Sequence, residues 1–433
     1  MAHSFDQLTL SESFFNPLFE LYPATESQHL CHELSDLDYL KLGVSRCISS
    51  AKSGNDFLQT YRKDDGQKVG VPHFFESLKS KRRLSNLASM NELMKGYLTD
   101  RLPDALQSIE ELKKWHLFAA DGHYHKAAIF DPKTKADLSR KQSNKSATGH
   151  FFRLDLRTHH LEPLDLAQPE DGKKSEHDLK MLKRLELNSL RGCARVREKV
   201  LYLWDRACID YAFWNKAKSQ KGIYFCTLAK SNSVTEFIRE HQLVDYDDSR
   251  SEGVISDRIV ETSKGYEIRQ ICYTNPADGE RYEYLTNELT LPAWVHVLLY
   301  KHRWDIEKVF DELKTKLEEK RSWASSKEAK TSHAHFLSLT HNLMLLLEEY
   351  LQSEESMRDE VEPRKREIRE RRQQEKRKGF RKDLKPSFIN SFFTRATQRT
   401  VRFIRWLREC LSKKLRYREA LHELTEVWKC KIH

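Results

Sequence analysis

Apolar residues recur three and four positions apart through LDYLKLGVSRCISSA and FFESLKSKRRLSNLASMNELMKGYL, so residues 1 to about 105 predict helices that each bury one face. From about residue 110 the texture changes. WHLFAADGHYHKAAIF predicts a strand, a turn at Asp121-Gly122 and a second strand. GHFFRLDLRTHHLEPLDL predicts a further strand with its turn, and SEHDLKMLKRL a helix. VLYLWDRACIDYAFWNKAKSQKGIYFCTLAK then predicts an apolar strand ending at Asp205, a helix and another strand. Short alternating stretches between about 231 and 290 predict extra strands ahead of one long helix at 293–319. HAHFLSLTHNLMLLLEEYL predicts a buried helix, 352–385 an exposed charged helix or linker, and FINSFFTRATQRTVRFIRWLRECLSKKL an amphipathic basic helix. Strands near 115–130, 150–157, 200–205 and 222–229 with helices among them predict an α/β class. The expected organisation is a helical region over 1–105, where Lys79, Lys81, Arg82 and Arg83 offer a basic face for possible DNA binding, an α/β core over 106–350 with a β-rich insertion at about 231–290, and a basic helical region over 351–433.

Composition changes this picture in two places. The 433 residues suffice for two or three domains. No run of 18 apolar residues occurs, so no membrane span is expected. MAHSFDQLTLSESFF lacks the basic start and apolar centre of a secretory signal. The eight cysteines include no CxxC pair, so neither a zinc pattern nor a disulfide framework is expected, and a reducing cytoplasm is the simple reading. The net charge of +10 is uneven: residues 354–433 hold 24 Lys/Arg against 13 Asp/Glu, leaving 51 basic and 52 acidic residues elsewhere. A basic terminal block points to a polyanion such as nucleic acid, and a solvated charged helix explains it equally well.

The helix at 300–314, YKHRWDIEKVFDELK, carries the most specific pattern. At about 100° per residue, Tyr300, Arg303, Glu307 and Lys314 share one stripe roughly 60° wide. Ile306, Val309, Phe310, Leu313 and Leu317 form the adjoining apolar stripe. Asp121 and Asp205 end apolar strands, where sites gather in α/β sheets. Three carboxylates from separate elements suit a pair of divalent cations about 3.5–4 Å apart, the arrangement for in-line phosphoryl displacement. Oxygen donors favour Mg²⁺ or Mn²⁺. Asp155, Asp178 and Asp210 are competing acids. No Gly-rich phosphate loop is present, and the histidines show no zinc spacing, so His333, His335 and His341 read as core or surface residues.

The spacing Tyr-x2-Arg-x3-Glu-x6-Lys resembles the Y-R-E-K signature of bacterial insertion-sequence DDE transposases. LTN at 285–287, RWDIEKVFDELK, WDRACIDYAFW and FAADGH are similar to that family's segments, and the likeness covers roughly 110–350. His123 stands where the family often has Thr, and Ala207-Cys208 where it often has Gly-Tyr. The resemblance implies a ribonuclease H-like mixed sheet, a metal-binding catalytic triad of Asp121, Asp205 and Glu307, and a β-rich insertion within the 102-residue interval before Glu307. It implies Mg²⁺-dependent cleavage of double-stranded DNA at element ends and strand transfer into target DNA, by a homodimer on DNA in the bacterial cytoplasm, at the nucleoid. Arg303 and Lys314 would hold phosphates, and Tyr300 would contact the same backbone. Tyr282 or Tyr284 would stack on a flipped base, against the more ordinary reading of buried strand tyrosines. The alternatives are an inactive DNA-binding derivative and a metal-dependent nuclease that does not join ends.

Overall fold

A computed structural model describes residues 8–25, 33–125, 148–168, 175–361 (apart from 193, 232, 242–244, 246 and 320), 364–365, 367–368, 371, 387–392 and 399–430. Five helices come first: α1 (Leu10–Leu21), α2 (Asp36–Ile48), α3 (Gly54–Thr60), α4 (Val71–Lys79) and α5 (Lys81–Arg101). Thr9 closes a capping box at the start of α1, and Ser35 caps α2. The predicted helix at 74–98 is broken at Ser80, whose hydroxyl accepts from the Arg83 amide and starts α5 afresh.

The sheet holds β1 (Trp115–His125), β2 (Thr148–Asp155), β3 (Leu161–Leu166), β4 (Lys199–Leu203), β5 (Ile223–Leu228), β6 (Thr235–Glu240), β7 (Val254–Thr262), β8 (Glu267–Thr274) and β9 (Arg281–Thr286). Between β3 and β4 lie α6 (Asp178–Arg184) and α7 (Leu187–Arg191), and α8 (Tyr211–Lys221) joins β4 to β5. The spatial order is β3-β2-β1-β4-β5-β9-β8-β7-β6. β1, β4 and β5 run parallel, and the remaining neighbours pair antiparallel. The strands of the predicted insertion therefore extend the central sheet through β9, with no break in hydrogen bonding.

After the sheet come α9 (Ala293–His302), α10 (Trp304–Asp311), a π-helical turn at Glu312–Lys316 and α11 (Lys327–Ser353). The short α12 (Phe388–Ser391), then α13 (Val401–Lys413) and α14 (Tyr417–Trp428), complete the described elements. The continuous helix expected at 293–319 tightens at Arg303, whose amide bonds to the Tyr300 carbonyl, and widens again in the π-turn. Most of the charged segment 352–385 lies outside the described residues.

Alternation along the strands sorts the core into two faces. Phe118, Ala120, Val200, Tyr202 and Phe225 pack with Met181 and Trp214 of α6 and α8. Leu117, Ala119, Leu201 and Leu203 belong to the opposite cluster, which continues through the N-terminal helices, α9–α11 and α13–α14. α11 lies at the centre of that cluster. Gly43 of α2 lets it approach, since a Cβ there would sit 2.1 Å from the Phe336 ring. A buried ionic group ties β7 and β8 to α9: Arg269 donates to both oxygens of Asp257 at 2.8 and 2.7 Å and to the Leu291 carbonyl at 2.7 Å. Glu288 completes it, 3.2 Å from His296 of α9.

Candidate active site

Parallel pairing of β1 with β4 runs from Trp115↔Lys199 to Ala119↔Leu203. Asp121 and Asp205 each lie two residues beyond that last pair. The two carboxylates therefore leave neighbouring strands, about 4.8 Å apart, at matching heights on the face that α9–α11 cover. The expected turn at Asp121-Gly122 is absent: β1 runs straight through both residues, which pair with Phe152 and Phe151 of β2. Gly122 holds ordinary extended backbone. Its value is space, because a Cβ there would stand 3.0 Å from the Phe151 ring. Asp205 follows the end of β4, and its side chain caps nothing.

Glu307 comes from α10, which Ile306, Val309 and Phe310 seat on the sheet, Phe310 lying 5.8 Å from Phe152 between ring centroids. Arg303 is buried one turn earlier and donates to Glu307 Oε1 at 2.8 Å. Its guanidinium is also felt by Asp121, so it stands between two of the three predicted acids. Tyr300 departs from its expected place at the DNA backbone. It is buried beside Tyr284, and its hydroxyl donates to the Trp204 carbonyl at 3.2 Å. The bulky phenol fits the core better than it fits water, and its hydroxyl fastens the peptide next to Asp205. Lys314 is exposed on the π-turn, and its charge reaches His123 of β1. Trp304, which the sequence did not single out, keeps 56 % of its surface exposed and stacks 4.8 Å from the Arg303 guanidinium.

Electrostatics bring the acids together. Burial pushes Asp121 up to about 7, and the charges of Asp178 and Glu307 add to that rise. Burial likewise raises Asp178 to about 6, and the charges of Asp205 and then Glu176 add to that rise. Asp178, at the start of α6, thus joins Asp121, Asp205 and Glu307 as a fourth acid, and of the three competing acids it alone does so. Asp155 turns inward to the amides of Arg157 and Thr158, while Asp210 caps α8 and pairs with Lys183. Among the described residues no three His, Cys, Asp or Glu groups stand close enough to share one metal ion.

Tyr284 is buried and Tyr282 half-buried. His333 and His341 are buried and His335 is half-buried, within the reading of core or surface residues, but His333 meets an unexpected group. His125 lies 4.9 Å from His150 and 5.0 Å from His333 between ring centroids, with His123 5.6 Å from His125. Sequence spacing carries no sign of this, because the rings come from β1, β2 and α11.

Residues 132–343 match the family model described as the transposase DDE domain, a span that includes Asp205 and Glu307 and begins after Asp121. A protein of Sinorhizobium fredii named "Putative transposase y4zB" is 31% identical over 126 residues, which is 27% of this chain. The matched stretch spans about a third of that relative (33%). The matched span thus holds the strands of the mixed sheet other than β1, together with α10 and the acids Asp205 and Glu307, and over those residues the chain is similar to the transposase DDE domain.

Proposed function

We propose that this chain is a DDE transposase of the Y-R-E-K type, which cuts double-stranded DNA at the ends of an insertion element and joins them into target DNA. The observation that carries this reading is the matched register of Asp121 and Asp205 on adjacent parallel strands, facing the helix of Glu307. Asp121, Asp205 and Glu307 are the proposed triad. Their donors are all carboxylate oxygens, the chemistry that Mg²⁺ takes and Mn²⁺ shares. Two such ions, when bound, would activate a water for the first cut and stabilise the attacking and leaving oxygens.

The chain's own residues do the rest. Arg303 holds Glu307 in place through its 2.8 Å bond. Tyr300 anchors the peptide that precedes Asp205. Lys314, exposed on the same helical run, offers its ammonium to a backbone phosphate. Trp304 presents an open aromatic face on which a base can stack. Asp178 adds negative charge to the site, which sharpens its demand for a cation. The partners are element ends and target DNA, held by a homodimer on DNA at the bacterial nucleoid.

The test compares the full chain with Glu307→Gln on labelled duplexes carrying the element's own ends, with and without Mg²⁺. The wild type cuts and joins only with the metal, and the variant binds yet does neither. Binding without reaction in both proteins indicates a DNA-binding derivative. Cutting without joining indicates a nuclease. Equal cutting by both proteins removes Glu307 from the triad.

A further inference from the structure

The C-terminal segment reaches back to the helix that carries Glu307. Arg399 lies just ahead of α13 and is fully buried. Its amide donates to Glu312 Oε2 at 2.6 Å and its Nη1 to Glu312 Oε1 at 2.8 Å. Its Nε stands 2.9 Å from Glu348 of α11, and Nη1 is 3.4 Å from His341. The Arg399 carbonyl in turn accepts from Lys316 Nζ. Glu312 and Lys316 are the first and last residues of the π-turn. Arg399 therefore grips both ends of a five-residue turn with Lys314 at its centre.

That turn is the unusual part of the helix. The Leu317 amide bonds to the Glu312 carbonyl at 3.0 Å, five residues back, so the chain is wound more loosely here than in α10. A wider turn rotates the residues it carries. Lys314 stands seven positions after Glu307, nearly two full turns on a regular helix, and its direction relative to Glu307 depends on whether the π-turn is kept. ELKTK contains no Pro or Gly that would loosen it. The buried pairing of Glu312 with Arg399 holds the turn at its first residue from outside the helix.

We propose that Arg399 is a positioning residue for the candidate site: by holding Glu312 and Lys316 it maintains the π-turn and sets where Lys314 meets the DNA backbone. The inference rests on the reading of Lys314 as a phosphate contact. It makes the C-terminal segment part of the geometry of the site, beyond any charge it brings to DNA.

Removing Arg399 alone leaves Glu312 buried without a partner and risks unfolding, whereas replacing both charges with apolar residues of similar volume is tolerated in other buried pairs. The informative protein is therefore the double variant Arg399→Met/Glu312→Met, made in the full chain with and without Lys314→Ala. Binding to a labelled mixed-sequence duplex is measured across a salt series. In the wild-type background Lys314→Ala lowers the slope of log K against log salt by about 0.9, one phosphate contact. The double Met variant is expected to show that lower slope already, with no further change on adding Lys314→Ala. A Lys314→Ala effect of undiminished size in the Met background overturns the proposal.

If Lys314→Ala changes no slope even in the wild type, the phosphate reading of Lys314 fails on its own account. Amide hydrogen exchange at residues 313–317, measured without DNA, then decides the positioning role. Faster exchange confined to those amides in the double Met variant supports it, and unchanged exchange overturns it.

Discussion

Asp121, of the proposed triad, has a carboxyl that burial lifts well above the ordinary carboxylate range. With its carboxyl raised to about 7, the folded chain holds a proton there that the unfolded chain releases near 3.8. The sign follows directly: this group favours folding below pH 3.8, and that contribution disappears as pH rises through 7. A bound cation displaces the same proton, so metal affinity should grow over that interval. The rise in Tm on adding Mg²⁺ should be small at pH 6 and substantially larger at pH 8, and Asp121→Asn should abolish the difference. Equal Mg²⁺ shifts at both values would remove Asp121 from the metal site. Asp178→Asn tests the fourth acid. Because the Asp178 charge helps raise Asp121, its removal should move the midpoint of the Mg²⁺ effect to lower pH. An unmoved midpoint would separate Asp178 from the site.

Elements deliver these residues through packing. α10 is held on β1 and β2 largely by Phe310, whose ring sits 4.9 Å from His123 and 5.8 Å from Phe152. Phe310→Ala should cost about 3–5 kcal/mol, read as a fall in the denaturant midpoint. β1, β2 and α11 also enclose the four histidines. Burial holds His123 down at about 3 and His125 and His150 well below the usual imidazole range, so all three are neutral when folded. An imidazole with a depressed folded pKa contributes stability above pH 6.5 and loses it as pH falls towards 3. Tm should therefore decline steadily on acidification from pH 6.5 to 4. His125→Phe should flatten that decline, because a ring of similar size removes a group whose nitrogens have no hydrogen-bond partner. A decline of unchanged slope in the variant would place the acid sensitivity elsewhere.

Across the whole molecule the basic C-terminal region proves to be structural as well as charged. Phe403, Ile404, Trp406, Leu407 and Cys410 of α13 and Leu421, Leu424 and Trp428 of α14 are buried in the cluster that includes α1 and α11. The Leu10 amide bonds to the Leu415 carbonyl and the Tyr417 amide to the Leu8 carbonyl, which joins the two ends of the described chain. α13 and α14 thus serve the core alongside the charge that their sequence carries. A truncation ending at 353 should lose cooperative unfolding or bind a hydrophobic dye in the native state, since it uncovers the side of α1 against which α13 and α14 pack. A truncated chain with the full-length Tm would return α13 and α14 to the role of appendage. In the N-terminal region Lys79 pairs with Glu76, Arg82 with Asp36, and Arg83 donates to the Leu34 carbonyl. Among the described residues no helix is long and apolar enough to cross a membrane.

The sequence determined whatever depends on local period and on spacing within one element. The unbroken apolar run VLYLW marked β4 as a buried strand and put Asp205 past its end. The helical period of YKHRWDIEKVFDELK put Arg303 and Glu307 one turn apart, and their hydrogen bond follows from that spacing. Relations across elements were decided by the tertiary structure. Asp-Gly reads as a turn in isolation, yet pairing with β2 on one side keeps it extended, because ladder bonds outweigh a weak local preference. Tyr300 shares a helical stripe with Glu307 but lies inside, since β9 and the end of β4 close over that part of the stripe. Asp178, the histidine group and the Arg399 grip on the π-turn each join residues from separate segments. Their proximity is a property of long-range packing, whose free energy resides in contacts that no short window of sequence contains.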